Sequence, residues 1–263
     1  MGRNLTYPKT AGTTMNRYKI RGTYDIATIH GIVNSSAVLN VSFITSPEDT
    51  FPAILPMIGQ LGSFEYPSAG LEEPLDLYLQ GYVSSRIMNT ARSPTKSGGI
   101  EGFPMTVAAT KVDGLVLSLT PNTHDYNYRS AILQGYATVV TDVEERLYAM
   151  KLITNKVLPD RWENTRTPPD SAEMSSTSIL KMRIVAGSGK IRDGGPRDDA
   201  KDTDREELTG SIWTGVIPVW ETLGDPVKLG AGNMTEIPGY LRRAVEERSQ
   251  DAEAYAKSAV KTG

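Results

Sequence analysis

The sequence predicts a mainly β protein: a closed or nearly closed antiparallel barrel with a few peripheral helices. Two observations predict it. Six or seven short runs of β-forming residues are bounded by Pro, Gly, Ser or Asp, and strand and helix do not alternate regularly. The 263 residues, 39% of them hydrophobic, are enough for one such domain with insertions, which excludes a chain that is mostly disordered.

The first half of the chain begins with a polar segment without periodicity, which predicts an N-terminal arm over residues 1–20. Apolar residues at helical spacing then predict a short entry helix. The elements predicted for this half are a helix over Asp25–Val33, strands over Ala37–Thr45, Phe51–Ile58 and Leu75–Gln80, a short helix over Ser84–Ala91 and a flexible loop over Arg92–Gly102.

In the second half, the Asp113-Gly114 dipeptide predicts a tight hairpin between two strands. The charged, Gly-rich stretch Lys190–Glu207 predicts a long surface loop or lid. The other predicted elements are strands over Met105–Lys111, Gly114–Leu119, Tyr128–Val140, Ser178–Ala186 and Trp213–Trp220, and a helix that starts at Thr141 and Asp142. The barrel domain is expected to span residues 21–240, followed by a frayed or solvent-facing helical tail over 241–263.

Composition narrows the function. A formal net charge of -3 argues against a nucleic-acid partner, and the sequence contains no apolar run of the ~20 residues that crossing a membrane needs. The absence of cysteine excludes thiolate chemistry and iron–sulfur clusters. With two histidines and no ligand spacing, no metal site is expected. A cytoplasmic protein without a membrane partner is the expectation.

Two polar segments are candidates for chemistry. The phosphate segment, Gly81–Arg86, stands where a strand ends and a helix begins, so Ser84, Ser85 and Arg86 could converge with backbone N–H groups on one anion. Its alternative interpretation is an ordinary capped helix with a solvated arginine. No Gly-x-Ser-x-Gly motif accompanies either segment, which argues against a serine hydrolase.

The second is the polar segment, His124–Ser130, a dense cluster that opens a strand. Alternation places Tyr128 and Ser130 on one face and Arg129 on the other. His124 is a candidate proton donor or stacking partner for a flat ligand. The alternative is a hairpin connection whose polar side chains satisfy their own backbone.

Seven stretches, in this order, resemble the FMN-binding split-barrel proteins of the pyridoxamine 5'-phosphate oxidase-like superfamily, in the branch of nitroimidazole-resistance and flavin-nucleotide-binding proteins. They reach from about Arg21 to Val219 and read GTYDIATIHGIV, FPAILPM, LYLQGYVSSRIM, VDGLVLSL, HDYNYRSAILQGYATVV, SGKIRDGGP and IWTGVIPV. The resemblance implies a six-stranded antiparallel split barrel that forms a homodimer, with one FMN in each cleft between the two subunits.

The resemblance also implies roles for individual residues. The strand Pro52–Pro56, with Ile54, Leu55 and Pro56, would give backbone contacts to the flavin ring. The FMN phosphate would be held by Ser84, Ser85 and Arg86, with Gly81 allowing close approach. The remaining cofactor-binding residues that it implies are Arg129, Ser130, Lys190 and Trp213. His124 and Tyr128 are the candidate catalytic residues, as proton donors to a reduced substrate.

The expected function is that of an FMN-dependent oxidoreductase that moves hydride or electrons between a nicotinamide and a small flat organic substrate. Gln80 stands where many relatives have His, and Ile87 stands where pyridoxamine phosphate oxidase has a basic residue, which argues against vitamin B6 oxidation. Three alternatives stay open: a flavin carrier or sensor without turnover, a haem-binding protein, and a cofactor-free barrel in a biosynthetic pathway.

Overall fold

The computed structural model describes residues 4–92, 96–97, 100–230, 234 and 236–261. Its contacts divide the chain into two compact units. The first unit consists of residues 1–110 and 130–190, and the second unit of residues 111–129 and 191–263. Three long strands contribute residues to both units.

Eleven strands and seven α-helices are assigned within the described ranges. The strands are β1 (Gly22–Thr23), β2 (Leu39–Phe43), β3 (Ala53–Met57), β4 (Gly59–Gly62), β5 (Asp76–Tyr82), β6 (Lys96–Ser97), β7 (Ile100–Glu101), β8 (Phe103–Leu117), β9 (Asp125–Val139), β10 (Thr177–Arg192) and β11 (Gly215–Pro218). The helices are α1 (Ile26–Ser35), α2 (Arg86–Arg92), α3 (Val143–Val157), α4 (Ser171–Ser176), α5 (Ala200–Thr203), α6 (Glu206–Thr209) and α7 (Gly239–Lys261).

The main sheet is antiparallel in every pairing whose register is known, and its strands follow the order β3-β2-β8-β9-β10-β5-β4. The two ends of this path are consecutive in the chain, because β3 ends at Met57 and β4 begins at Gly59. β3 and β4 are therefore two halves of one strand that bends around Ile58, and the two halves form the two ends of the sheet. If it is counted once, the path has six strands, which confirms the predicted fold class of a six-stranded split barrel with peripheral helices.

The core of the first unit follows from the alternation of its strands. On β2, Leu39 and Val41 are fully buried, and so are Leu77 and Leu79 on β5. Tyr78 points to the opposite face of β5, where it packs in one cluster with α3 residues. The helix α3 begins where the sequence predicts, because the Asp142 side chain accepts a hydrogen bond from the Glu145 N–H at 2.8 Å.

The predicted hairpin at Asp113-Gly114 is wrong, because β8 runs through both residues without a turn. Asp113 is buried and forms an ion pair within the sheet. Gly114 lies opposite β11, where a Cβ would come within 2.9 Å of a methyl of Val216. In this strand, Asp113 therefore supplies a buried charge and Gly114 allows close strand packing, and neither residue forms a turn.

Two other expectations for the second half are corrected. The stretch Lys190–Glu207 is not one long loop, since β10 continues to Arg192 and the two short helices α5 and α6 follow. The C-terminal tail is a 23-residue helix that packs in the second unit instead of fraying. Ala256 and Ala259 are buried, and the backbone N–H of Gly194 donates to the Ala259 carbonyl at 2.7 Å. The predicted loop Arg92–Gly102 lies partly outside the described residues.

Candidate functional site: the phosphate segment and the polar segment

The phosphate segment forms a tight turn between β5, which ends at Tyr82, and α2, which begins at Arg86. The Val83 N–H donates to the Ser176 carbonyl at 3.0 Å, and the Ser85 N–H donates to the Tyr82 carbonyl at 2.9 Å. Both backbone donors are therefore occupied by the protein itself.

Two side chains of the phosphate segment are available to a ligand. The Ser85 Oγ is buried and has no hydrogen-bond partner, an arrangement that costs free energy unless a ligand or water supplies one. The guanidinium of Arg86 is exposed and forms no ion pair with any described residue. A buried hydroxyl beside an uncompensated cation fits an anionic, hydrogen-bonding group such as a phosphate monoester.

Gly81 and β3 complete this region of the first unit. A Cβ on Gly81 would lie 2.9 Å from the Met88 Cε, 3.6 Å from the Met57 Cε and 3.6 Å from the Ser85 Oγ. A larger residue at this position would have to displace the flexible end of the Met88 side chain. Met57 is the last residue of β3, so the strand that carries Ile54, Leu55 and Pro56 ends beside the phosphate segment, and Ile54 is 63% exposed.

A pocket of about 430 Å³ borders the same turn. Its wall includes Gln80, Gly81 and Tyr82 of β5, and its apolar lining includes Ile153 and Val157 of α3. Arg161 also lines it, and none of the lining residues is acidic. Arg161 is thus the one charged residue of this lining.

The polar segment differs from the phosphate segment, because its arginine is fully engaged. The Arg129 guanidinium makes a bidentate pair with Asp113, with Nε–Oδ2 at 2.9 Å and Nη2–Oδ1 at 2.7 Å. Its other side stacks on the ring of Tyr255 in α7, 3.3 Å from the ring centroid. Burial raises the pKa of the Tyr255 hydroxyl, and the nearby Arg129 opposes that shift. These contacts make Arg129 an anchor for α7 within the second unit.

Asn127 of the polar segment is also engaged in hydrogen bonds within the second unit. Asn127 is fully buried, and its side-chain amide donates to the carbonyls of Gly194 and Ala259 at 3.1 and 3.2 Å. Its amide oxygen accepts a hydrogen bond from Arg192. Arg192 also pairs with Asp125 at 3.0 Å. The polar segment is thus bound to the residues that follow β10 and to the end of α7.

The two candidate catalytic residues lie beside this network. His124 is exposed, and its Nδ1 is 2.9 Å from the Thr120 carbonyl, which leaves Nε2 to face outward. Tyr128 is half-buried on β9, and on that strand it alternates with Arg129 as predicted.

The remaining predicted cofactor residues are Ser130 and Lys190 in the first unit and Trp213 in the second unit. Ser130 donates to the carbonyl of Lys190 at 3.3 Å, so these two are neighbours within the first unit. Lys190 belongs to β10 and pairs with Gly22, so it does not lie on a loop. Trp213 is 65% exposed in the second unit, and its indole lies over Gly215.

Three residues that shape these regions were not predicted. Arg161 lies in a polar connection whose sequence gives no sign that it borders the phosphate segment. Asp113 was assigned to a turn, and Tyr255 to a solvent-facing tail. The sequence offers no signal for the burial of Asp113, because a carboxylate that alternates with apolar residues in a strand ordinarily faces solvent.

A buried charge cluster also lies in the first unit. The carboxylate of Glu145 accepts hydrogen bonds from the Tyr78 hydroxyl at 2.8 Å and from Lys181 at 2.7 Å. Burial and this carboxylate raise the pKa of Tyr78 far above its usual range. This cluster attaches α3 to the barrel.

The sheet order and its peripheral helices define a split-barrel protein. A profile of the pyridoxamine 5'-phosphate oxidase family matches residues 25–191, more than half of the sequence. The chain belongs to this family, a flavin-binding group of split-barrel proteins. Among proteins of curated function, none matches the sequence.

Two solved structures share the fold over most of the chain. The flavocytochrome Anf3 from Azotobacter vinelandii is 21% identical, with a TM-score of 0.70 over 89% of this chain and 97% of that one. An FAD and haem binding protein from Mycobacterium smegmatis is 23% identical, with a TM-score of 0.67 over 86% of this chain and 97% of that one. Both coverages exceed the part matched by the family profile.

No described helix has the length and apolar content needed to cross a bilayer. Within the described residues there is also no cluster of three or more metal-ligating side chains.

Proposed function

We propose that this chain is a flavin-dependent oxidoreductase that works in the cytoplasm as a homodimer and binds FMN through the phosphate segment. The observation that carries the proposal is the buried, unpartnered Ser85 Oγ next to the uncompensated cation of Arg86. Family membership supplies the class of cofactor, and these two side chains supply a site whose chemistry fits its phosphate end.

The protein's own residues would act by binding and positioning. Ser85 would donate a hydrogen bond to a phosphate oxygen, and Arg86 would neutralise the phosphate. The position that a Cβ on Gly81 would take is bordered by the end of the Met88 side chain and by the Ser85 Oγ. The strand β3 would offer the backbone of Ile54, Leu55 and Pro56 to the ring system. When bound, the flavin supplies the capacity to accept and release hydride or single electrons.

Proton transfer would fall to His124 and Tyr128. The Nδ1 of His124 is fixed by the Thr120 carbonyl, so the outward-facing Nε2 is the atom that would donate or accept a proton. The proposed substrate is a small, flat organic molecule, and the proposed electron donor is a reduced nicotinamide. Arg129 acts in this proposal through α7, because its guanidinium is already bound by Asp113 and Tyr255.

A second candidate function is a flavocytochrome that holds FAD and haem. The observation that favours it is that two solved structures covering most of this chain are a flavocytochrome and an FAD and haem binding protein. Of the two histidines, His30 has both ring nitrogens engaged, by the Tyr7 hydroxyl at 2.6 Å and the Leu71 carbonyl at 2.8 Å. His124 is therefore the histidine that would ligate haem iron, through Nε2.

The test is the visible spectrum of the freshly purified chain, followed by chromatography of the cofactor released on denaturation. Absorbance of oxidised flavin with release of FMN supports the first proposal. Released FAD with a Soret band that His124→Ala abolishes supports the second. A colourless protein that binds neither FMN nor FAD in a titration contradicts both.

Turnover separates an oxidoreductase from a flavin carrier. Anaerobic reduction of the bound flavin by NADH or NADPH, followed by rapid reoxidation with a flat electron acceptor, is expected for the enzyme. Stable binding without reduction by either nicotinamide would assign the chain to the carriers.

A further inference from the structure

We propose that the side chains around Tyr18, named here the basic cluster, form a binding site for a phosphorylated small molecule. The basic cluster consists of Arg17, Tyr18, Arg21 and Lys190, and all four residues belong to the first unit. The inference goes beyond the proposed function, which places the flavin phosphate at the phosphate segment.

Three cations of the basic cluster converge on one aromatic ring. The guanidinium carbons of Arg17 and Arg21 lie 4.8 and 4.6 Å from the centroid of the Tyr18 ring, and the Nζ of Lys190 lies 6.0 Å from it. The two arginines come from the residues just before β1, whereas Lys190 comes from β10, where it pairs with Gly22. The fold therefore holds together three like charges from two distant parts of the chain, and the ring attracts each of them only modestly.

Two of these cations lack a carboxylate partner. Arg17 and Lys190 form no ion pair with any described residue. The first acidic residue of the sequence is Asp25, and its carboxylate accepts hydrogen bonds from the N–H and the hydroxyl of Thr28 at 2.8 and 2.6 Å, at the start of α1. Because like charges held close together repel one another, a bound anion would stabilise this arrangement.

The surrounding sequence has charge of the same sign. Residues 1–24 contain five basic residues and no acidic residue, although the whole chain has a formal net charge of -3. The remaining residues therefore carry a net charge of -8. A basic block within an acidic chain raises the local concentration of anionic ligands.

The backbone at Tyr18 gives a further reason to assign a role to this residue. Tyr18 has φ 53° and ψ 53°, the left-handed conformation that costs free energy for a residue with a Cβ. Its side chain is 50% exposed, so burial of the ring does not account for the strain. Strained residues of this kind are concentrated at binding sites and active sites.

The arrangement of the charges favours a phosphate group. A phosphate monoester carries about two negative charges and three acceptor oxygens, and guanidinium groups can bind such oxygens in bidentate geometry. Arg21 and Lys190 are half-buried, so the charges are grouped around the ring and are not spread over a flat surface. A membrane surface would instead use the exposed side chains of Lys19 and Ile20, which lie outside the basic cluster.

The experiment measures the binding of inorganic pyrophosphate to the full chain by isothermal titration calorimetry, after the phosphate segment has been saturated with FMN. The test variants are Arg17→Ala and Lys190→Met. The control is Lys19→Ala, which removes the same charge from a neighbouring exposed side chain. We expect the dissociation constant to rise about tenfold in each test variant, because each substitution removes one charge-assisted contact, and to stay at the wild-type value in the control.

The test does not depend on the proposed function. If the protein binds no FMN, the same titration is made in an Arg86→Ala background, which lacks the cation of the phosphate segment. Binding of pyrophosphate that Arg17→Ala weakens in this background supports the basic cluster and leaves only the flavin assignment contradicted.

Titrations with NADPH and NADH identify the source of the phosphate. The two molecules differ only in the 2'-phosphate, so tighter binding of NADPH that Arg17→Ala abolishes supports a site for that monoester. Equal binding of both molecules, weakened equally by Arg17→Ala, supports a site for the diphosphate that they share.

Three outcomes would overturn the proposal. The first is a wild-type protein that binds pyrophosphate no more tightly than Arg17→Ala does. The second is an equal loss of affinity in Lys19→Ala, which would show that net charge alone attracts the anion. The third is binding to phosphatidylserine vesicles that Ile20→Asp abolishes, without binding of pyrophosphate, which would assign this surface to a membrane.

Discussion

The phosphate segment and the polar segment have similar compositions and opposite bonding states. Both combine serine and arginine, the first where β5 ends and the second where β9 begins, and both resemble ligand sites in the sequence. In the structure, the Ser85 Oγ has no partner, whereas the Arg129 guanidinium is paired with Asp113 and covered by Tyr255. The difference teaches that unsatisfied bonding capacity, and not polar composition, separates a binding site from a structural cluster.

The two segments also differ in their effect on the stability of the ligand-free protein. A buried hydroxyl without a partner destabilises the ligand-free protein, and under the proposed function a bound phosphate would compensate this cost. The polar segment has satisfied its groups internally and contributes to the stability of the second unit. Mutations should therefore reduce ligand affinity in the first region and the free energy of unfolding in the second.

The largest expected effect is that of Asp113→Ala. This substitution leaves the guanidinium of Arg129, which is only 13% exposed, without its carboxylate. Removing one partner of a buried pair lowers the free energy of unfolding by about 3–5 kcal/mol. Denaturant unfolding measures the change.

The matched control is the double variant Asp113→Ala with Arg129→Met, which removes the stranded charge as well. It should be more stable than Asp113→Ala alone. If the single substitution costs no more than the double, the pair does not anchor the second unit and the contrast between the two segments fails.

The next effect is on flavin affinity. Ser85→Ala and Arg86→Ala should each weaken binding about 10- to 100-fold, because each removes a hydrogen bond to a charged phosphate. Neither should lower the stability of the ligand-free protein, since neither side-chain group has a protein partner. Fluorescence titration and denaturant unfolding test the two halves of this prediction.

Arg183→Ala serves as the control, since Arg183 is an exposed arginine on β10 of the same unit. It should bind flavin as the wild type does. An equal loss in Arg183→Ala would show that net charge alone attracts the ligand. A loss of stability in Ser85→Ala would show that its hydroxyl already has a role in the fold.

The fold could be predicted from the sequence where a pattern has one physical cause. The alternation of Leu39, Val41 and Phe43 has a single explanation, a strand with one buried face, and the cap at Asp142 marks the start of a helix in the same way. The Asp-Gly dipeptide has two possible explanations. It suits a tight turn, but it also suits a strand in which the carboxylate is buried against an arginine distant in the sequence.

The site was less predictable, because a ligand site is defined by what a residue lacks. The sequence shows that Ser85 and Arg129 are polar, but their partners come from the folded chain. Arg129 finds Asp113, 16 residues away, and the ring of Tyr255 in a helix that was predicted to face solvent. The buried Ala256 and Ala259 explain that error, since small residues give a helix little apparent hydrophobicity even where they pack closely.

A smaller effect on the polar segment is expected for Asn127→Ala. The substitution removes the two hydrogen bonds from the Asn127 amide to the carbonyls of Gly194 and Ala259, and each carbonyl keeps one other donor, Arg192 and the Gly194 N–H. The expected loss is therefore about 0.5–1.5 kcal/mol for each hydrogen bond removed. Hydrogen exchange in the last turns of α7 should accelerate together with the loss in unfolding free energy. Asn122→Ala, at an exposed loop position, is the control and should change neither.

The smallest effect concerns pH and extends the comparison to a third polar pair. His30 is fully buried, and its ring bonds to the Tyr7 hydroxyl and the Leu71 carbonyl. Burial lowers the pKa of His30 below its usual 6.5, although the Leu71 carbonyl and the charge of Asp25 oppose the shift. Below pH 6.5 the unfolded chain therefore binds a proton that the folded chain does not, and stability falls as the pH falls.

The expected slope is at most about 1.4 kcal/mol per pH unit between pH 6.5 and the lowered pKa, with full stability above that window. His30→Gln keeps a polar side chain that cannot titrate, so it should lose this component of the acid sensitivity while remaining folded at neutral pH. Denaturant unfolding at a series of pH values compares the two proteins. Parallel profiles would show that His30 is protonated equally in the folded and unfolded chains. In that case its bonds to Tyr7 and Leu71 do not fix its neutral form, in contrast to Arg129, whose contacts keep it in an ion pair.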